Sequence, residues 1–509
     1  VVIVIDGLDQ LTDPAAASLK WLPATLPPNC SLIVSTSSGT EAHKSLARRG
    51  WKHQVAMPAL SLPMKNLVIK KYLGHLRKVL EQDVMQLLIQ AKQTANPLFL
   101  RMTIDELVTT AVHETVMSIA KHCVKLKGPL ELCDMLLMRY EQEFTRALVQ
   151  RTFAFISISR NGIAEDELMH LLDVPLDEWS PFFLATRESL SCTAGLLNIS
   201  NHTLGLAVQS RYLHTPNARM LYHQELVAFF QKADAAVVNT TRRVEELPYQ
   251  MLKANNLEGL RRFCLDLQHF RTLVRVGRFD LHSYWRHIGN GETPTDLGAK
   301  YQASLDRYMP ILQAEVATRF GAYDNTKDRA YQDELSQLCS LLGDFLVEVY
   351  QYGAACRLHE RALDSDHFLF DNQSRRVAES TQRFANTKYL MGQHDEAIEK
   401  LLLAIGIYKQ LSATDSQAEF DRAQCLVEIA SIARHAGNAS RAKSLCLAAL
   451  RTYKSVLGES HPQVALVLNK LGGLCFELGT KEELEEAKRH VSDALDIIGE
   501  DALNDTDVS

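Results

Sequence analysis

The sequence predicts a multidomain chain with part of a parallel α/β sheet, a winged-helix and helical middle, and an α-solenoid of stacked helix pairs. Three observations predict it. The chain opens with five consecutive apolar residues, Val1-Val2-Ile3-Val4-Ile5, followed by Asp6-Gly7-Leu8-Asp9. In the middle, helix-period stretches lead to a segment, Gly195–Leu204, that reads as a hairpin. In the last third, Ala355, Ala397, Ala442 and Ala487 are each followed seven residues later by another alanine, at Ala362, Ala404, Ala449 and Ala494.

The opening run reads as a buried parallel strand. Ligands of open α/β sheets bind beyond the carboxyl ends of such strands. A carboxylate there holds the Mg²⁺ of P-loop NTPases, so Asp6 and Asp9 mark a Walker B-like strand end. A buried strand followed by an ordinary polar turn is the alternative. A helix over Ala15–Leu22, a Pro-rich turn at Leu26-Pro27-Pro28-Asn29 and a second strand, Cys30–Val34, running into Ser35–Gly39 complete a βαβ unit. That unit is the basis for a partial P-loop NTPase sheet. Trp51–Met57 is read as one more short strand. No G-x-x-x-x-G-K-[S/T] occurs in the 509 residues. The loop that cradles the phosphates is therefore expected upstream of Val1, and the chain alone should bind ATP poorly.

Helical periodicity follows, clearest over Gln82–Thr94 and Leu98–Thr109, with Asn96-Pro97 placing a proline where it can open the second helix. One long helix is expected over Leu130–Phe155, then the turn Ser159-Arg160-Asn161-Gly162 and an acidic helix start, Ala164–Leu168. Helices ending in a hairpin make a winged-helix arrangement. The Arg-rich stretch that starts at Arg242 and Arg243 interleaves with Glu245, Glu246 and Asp266, which suits a solvated helical face better than a nucleic-acid patch. Gly289–Pro294 reads as a loop.

The alanine repeats are spaced by 42, 45 and 45 residues. Gly392 and Gly437 precede their alanines by five residues, Tyr350 takes that place in the first unit, and Gly479 stands eight residues ahead in the fourth, an apparent three-residue insertion. Small residues at such spots let helices pack closely, and stacked helix pairs build a solenoid. The expected division is 1–112 for the sheet domain, 113–235 for the winged helix, 236–338 for a helical connector, 339–500 for about four repeats and 501–509 for a tail.

Composition narrows the function. A net charge of −6 exerts no global pull toward nucleic acid or acidic membrane. Ten scattered cysteines without C-x-x-C suit a reducing compartment better than a disulfide framework or a zinc site. No apolar run approaches the ~20 residues of a membrane span. Hydrolase signatures such as G-x-S-x-G and H-E-x-x-H are missing from the sequence. The pairs Glu41/His43 and His113/Glu114 lack further ligand-spaced partners and read as surface polar residues, while Met135 and Met138 read as core-facing.

These landmarks together resemble STAND-type NTPases with a NACHT-like core, a winged helix and tetratricopeptide repeats, and are most similar to nephrocystin-type proteins. The likeness runs from Asp6-Gly7-Leu8-Asp9 through Asn96-Pro97-Leu98 and Glu245-Glu246-Leu247-Pro248-Tyr249-Gln250 to the repeats. Gly458-Glu459-Ser460-His461-Pro462 with Leu468-Asn469-Lys470-Leu471-Gly472 is similar to repeats of kinesin light chains. The resemblance implies ATP or ADP with Mg²⁺ as cofactor, once the missing N-terminal half is present. It makes Asp6 the metal-side carboxylate and Asp9 a residue that orients the hydrolytic water. Pro97, beside Asn96, would pack by the adenine, and His202 would sense the ADP phosphate from the winged helix. Ser37 stands where relatives carry an arginine that senses the γ-phosphate, and Gln10 where many have Glu. Slow or absent turnover with retained nucleotide binding fits both. The expected function is a cytoplasmic, nucleotide-regulated signalling scaffold that binds a protein partner on the concave face of its repeats, with nucleotide-dependent oligomers a further possibility. A scaffold with a degenerate core and a DNA-binding winged helix are the alternatives; the acidic residues Glu165, Asp166 and Glu167 weigh against the latter.

Overall fold

The computed structural model describes residues 2–11, 18–22, 30–49, 53–110, 115–234, 237–320, 326–412 and 415–504. The described residues fall into two compact units, one from the two ends of the chain and one from the middle, divided at Val55/Ala56 and Pro294/Thr295.

In the first unit, strand β1 (Val2–Ile5) pairs in parallel with β2 (Ser31–Val34), with Ile5 opposite Val34. Parallel pairing requires a crossover of a dozen residues or more, which the span between them supplies. Ile5, Leu32 and Val34 pack on Leu8, Leu19, Leu22, Ala42 and Leu46. The expectation of a strand buried on both faces is corrected: Val2 and Val4 are 63% and 66% exposed. Among the described residues, only one face of this two-stranded sheet rests on a core. Of the expected helix Ala15–Leu22, residues 15–17 lie outside the described residues, and 18–22 form turns. The Pro-rich turn at 26–29 also lies outside them. Of the expected strand Trp51–Met57, residues 51 and 52 lie outside the described residues and 53–57 form no strand. A helix instead spans Glu41–Arg48, its first turn fixed by the Thr40 hydroxyl accepting from the backbone N–H of His43.

The middle unit begins with helices Leu62–Leu76, Gln82–Gln90 and Pro97–Thr110 around a core of Ile69, Leu73, Val84, Leu88, Leu100 and Ile104. The single helix expected over 130–155 is two, Pro129–Glu143 and Arg146–Ile158. Phe144 is extended, and the Thr145 hydroxyl caps the new start by accepting from the N–H of Leu148. Next come β3 (Ile163–Ala164), helices Glu165–Leu172 and Leu176–Thr186, and the hairpin β4 (Leu190–Thr193) and β5 (Leu196–Ile199). The three strands form one antiparallel sheet in the order β3-β5-β4. Gly195 is therefore the hairpin's turn, at φ +80°, and not its beginning. Met138 is 44% exposed, so its expected core position is corrected; Leu132, Cys133, Leu137 and Tyr140 form the buried face of that helix.

Of the acidic residues near Arg242, Glu246 is a buried partner and not part of a solvated face. Glu246 is fully buried and accepts from Arg242 Nη1 at 2.9 Å, Gln250 Nε2 at 2.7 Å and the Arg160 backbone N–H at 2.8 Å. Arg242 also reaches Glu167 Oε1 at 3.0 Å and the Gly162 carbonyl at 2.7 Å. Helix Thr240–Lys253 is thereby bolted to the strand and helix that follow Gly162. Each buried charge has its counter-charge and its hydrogen bonds, the condition under which a buried ion pair is tolerable.

Beyond Thr295, helix Leu297–Phe320 precedes four helix pairs among the described residues: Thr326–Glu348 with Tyr352–Leu369, Arg375–Leu390 with His394–Leu411, Ser416–His435 with Ala439–Leu457, and Pro462–Leu478 with Lys481–Asn504. The first pair's leading helix thus runs through residue 339. All eight repeat alanines lie on second helices and are at most 6% exposed. The apparent insertion in the fourth unit is not in its turn. Ala397 and Ala442 stand three residues after their helix starts, and Ala487 six after Lys481, so the offset is close to one helical turn.

Gly392, Gly437 and Gly479 have φ of +79°, +79° and +72°, and Tyr350 has φ +62° at the same place in the first pair. A left-handed conformation costs a residue with a Cβ roughly 1–2 kcal/mol. Tyr350 is 77% exposed, so its side chain contributes little packing in return. Tyr350→Gly is expected to stabilise the first pair by about 1 kcal/mol, read as slower amide exchange over residues 326–369 under native conditions.

Candidate functional site

Three places gather the residues that the sequence marks out. The first lies at the carboxyl ends of β1 and β2. Gly7 takes a left-handed turn at φ +70°, where a Cβ would lie 2.7 Å from Gln10 Nε2. That turn lets the Gly7 N–H donate to Ser35 Oγ at 2.8 Å and the Leu8 N–H to the Ser35 carbonyl at 3.0 Å. The Ser35 hydroxyl in turn donates to Asp6 Oδ1. Ser37 donates twice to Asp9, from its backbone N–H at 3.1 Å and its hydroxyl at 2.7 Å. Asp6 and Asp9 therefore face one serine each from the end of the neighbouring strand. A carboxylate pair with adjacent hydroxyls is a set of hard oxygen donors, suited to Mg²⁺.

The second place is in the middle unit. Asn96 is an exposed helix cap whose Oδ1 accepts from the Phe99 N–H at 3.1 Å, and Pro97 opens that helix. His202 is not in the hairpin, as the sequence had implied. It is the exposed first residue of helix His202–Tyr212, whose cap is Asn201 accepting from the Leu204 N–H at 2.9 Å. Asn201 and Leu204 border a cavity of about 250 Å³ with Met102, Asp105 and Glu106 of the helix that Pro97 begins; His202 does not border it. A larger cavity of about 1280 Å³ is lined by Met135, Met138, Arg139, Arg211 and His214, with none of Asn96, Pro97 or His202 among its walls. Arg211 is neutralised there by Glu141 at 2.7 Å and Asp134 at 2.9 Å.

The third place is the face made by the first helices of successive repeats. Glu428 accepts from Gln382 Nε2 at 2.9 Å and Asn386 Nδ2 at 3.0 Å, both on the preceding pair. Its other oxygen is buried without a hydrogen-bond partner. Burial pushes the carboxyl above its ordinary value, and the hydrogen bonds from Asn386 and Gln382 pull part of the way back. Lys470, on the following pair, donates to Ser431 at 3.2 Å. Beside it, a groove of about 980 Å³ is lined by Asn469, Lys470, Phe476, Leu484, Val491 and Leu495. Polar groups from three consecutive pairs thus meet along one line of helices.

Of the remaining sequence candidates, Glu41 pairs with Lys44 at 2.7 Å, and His43 Nδ1 accepts from the Gly39 N–H at 3.3 Å. His113 and Glu114 lie outside the described residues. No helix among the described residues is long and apolar enough to cross a membrane.

Residues 421–500 match the tetratricopeptide repeat family. That match spans the third and fourth helix pairs. Across its whole length the chain is 26% identical to a tetratricopeptide repeat-containing protein of Dictyostelium discoideum, of which it covers 30%. It is 24% identical over 399 residues to human nephrocystin-3, covering 76% of this chain and 28% of that protein. The chain thus spans less than a third of these relatives. A signal-transduction ATPase with a tetratricopeptide repeat sensor from Pyrococcus horikoshii superimposes over 98% of this chain with a TM-score of 0.37 and 13% identity.

Glu428 generates a stability prediction. Its pKa is raised from 4.5 in the folded chain, so the unfolded chain ionises first as pH rises. The stability it contributes is whole below that value and is lost as pH climbs through the folded pKa. Glu428→Gln removes the buried charge and keeps an acceptor for Asn386. The variant should match the native protein near pH 4.5 and exceed its stability by about 1 kcal/mol at pH 8, measured as amide-exchange protection over residues 416–457.

Proposed function

We propose that this chain is a protein-interaction scaffold, a reading its tetratricopeptide repeats support. We propose that this chain holds a protein partner along the first helices of its repeats, and that a Mg²⁺-bound nucleotide regulates that capture from the ends of β1 and β2. The observation that carries the reading is the pairing of Asp6 and Asp9 with Ser35 and Ser37 at the carboxyl ends of two parallel strands. In this reading Asp6 is the metal-side carboxylate and Asp9 orients water. Within the middle unit, Asn96, Pro97 and His202 are the residues that the resemblance assigns to nucleotide contact, His202 from a winged-helix module built on β3, β4 and β5. ADP would then favour one arrangement by a differential contact, which any ligand-driven shift requires.

A second reading, a scaffold whose degenerate, non-hydrolysing core only holds the fold while the repeats bind the partner, is favoured by Ser37. Its two hydrogen bonds occupy both Asp9 oxygens, and a serine cannot offset developing phosphate charge as a guanidinium does.

One experiment separates the readings. A photo-cross-linker at Asn469 in the full-length protein should capture a partner to an extent that differs between Mg-ADP and Mg-ATP. Asp6→Asn should leave capture intact and erase the nucleotide dependence, because a charged metal ligand becomes neutral. Capture that ignores nucleotide in the unmodified protein supports the second reading. A cross-linker at Leu403, 53% exposed on a second helix, should capture nothing; equal capture from Leu403 would contradict the assignment of the first-helix face.

A further inference from the structure

The fourth repeat gathers ligands that the cysteine spacing does not reveal. Cys475 lies near the end of its first helix, and Glu486 and His490 stand four residues apart on its second. The thiol, one carboxylate oxygen and one imidazole nitrogen all lie within 4.8 Å of one another. Cys475 Sγ is 3.8 Å from Glu486 Oε2, and Cys475 also hydrogen-bonds Glu483, one turn earlier on the same helix. Sulfur, nitrogen and carboxylate oxygen converge from two helices, and Glu483 borders them through the thiol.

A cationic group already sits against these carboxylates. Lys443, from the preceding pair, places its ammonium 2.6 Å from Glu483 and 2.5 Å from Glu486. The cluster therefore attracts positive charge in the folded chain, and the ammonium neutralises its two acids. An ammonium cannot use the thiol or the imidazole as ligands; a metal ion can.

We propose that Cys475, Glu486 and His490 form a Zn²⁺ site in the fourth repeat, with Glu483 turning in as the fourth ligand, in which the metal displaces the Lys443 ammonium. Zinc takes four N, O and S ligands at about 2.0–2.3 Å, which sets ligand-to-ligand distances of about 3.3–3.8 Å. Side-chain rotations that draw Cys475, Glu486 and His490 in by about 1 Å bring their separations to that range. The softness of the thiolate and the borderline imidazole select zinc over Mg²⁺ or Ca²⁺, which take oxygen ligands alone. Burial lowers the His490 pKa, so its imidazole is neutral and ready to bind. Burial and Glu483 push the Cys475 thiol up to about 11. Binding therefore releases one proton: the thiol loses H⁺ to solvent as sulfur joins the metal, and Lys443 leaves still protonated. The ion would pin the two helices of the fourth pair together and free the contact to the third.

The test uses the whole chain, reduced, with Co²⁺ as the spectroscopic probe. One equivalent should give a thiolate-to-cobalt charge-transfer band and tetrahedral visible bands, both removed by Zn²⁺. Cys475→Ser should abolish the charge-transfer band, and His490→Ala should weaken binding at least about tenfold. Lys443→Met removes the competitor and should tighten binding several-fold. Affinity should rise about tenfold per pH unit between about pH 7 and 9, the slope of one released proton. The groups facing the thiol and imidazole in that range are Glu483, Glu486, Asp493, Lys443 and Arg489. Absence of the band at one equivalent overturns the proposal. So does an unchanged band in Cys475→Ser, which would place the ion on another cysteine. Glu486→Gln, a change at a half-buried position, gives a second check: unaltered Co²⁺ affinity in that variant also overturns it.

Discussion

Two helices approach closely only where side chains leave room between them, and in this chain that room recurs at the same place in every repeat. The alanine pairs 355/362, 397/404, 442/449 and 487/494 sit seven residues apart, two turns along one face of each second helix, and all are buried. The turn before each second helix adds its own demand, a left-handed residue, met by glycine three times and by Tyr350 once. Together these set the distance and the reversal of each helix pair. The alignment of Asn386, Glu428 and Lys470 across three pairs follows from them, because each side chain is carried on a first helix whose position is fixed by the second helix behind it.

The middle unit is held by charge as well as by packing. Arg242, Glu167, Glu246 and Gln250 form a buried network in which every member meets a complementary group, and truncating one member would strand the others in a low-dielectric surrounding. Within the basic, interleaved stretch, Arg242 is spent on the buried acids Glu167 and Glu246, while Arg261 and Arg262 pair with Glu258 at the surface. In the repeats the acidic run at 482–486 behaves likewise, since Glu483 and Glu486 hold Lys443 of the pair before them.

Periodic features were legible from the sequence and pairwise ones were not. The alanine spacing announced the helix pairs, and the two apolar runs announced parallel strands. The three-residue offset before Ala487 looked like an insertion because a linear spacing does not distinguish a longer turn from one extra helical turn. The break at Phe144-Thr145 carries no Gly or Pro, only a threonine cap, so two helices read as one. The run from Gly195 to Leu204 reads as one hairpin in the sequence, whereas Gly195 is the turn and His202 opens the following helix. Burial of Glu246 and the convergence of Cys475 with His490 depend on partners far along the chain or on another helix. Of the candidate site, Asp6 and Asp9 were marked by position in the strand, whereas Ser35 and Ser37 acquire their part only through the register of β1 on β2.

The central claim is that the buried alanines of each second helix, packed against the first helices on either side, hold the repeats and thereby the line of first helices. Hydrogen exchange of the whole chain carrying Ala442→Arg tests it most directly, because an arginine cannot fit a position that is 0% exposed between helices. The account predicts lost protection from about residue 416 to 478, spanning both helices of the third pair and the helix stacked on it, with residues 129–232 unchanged. Full protection of residues 416–457 in that variant would contradict it.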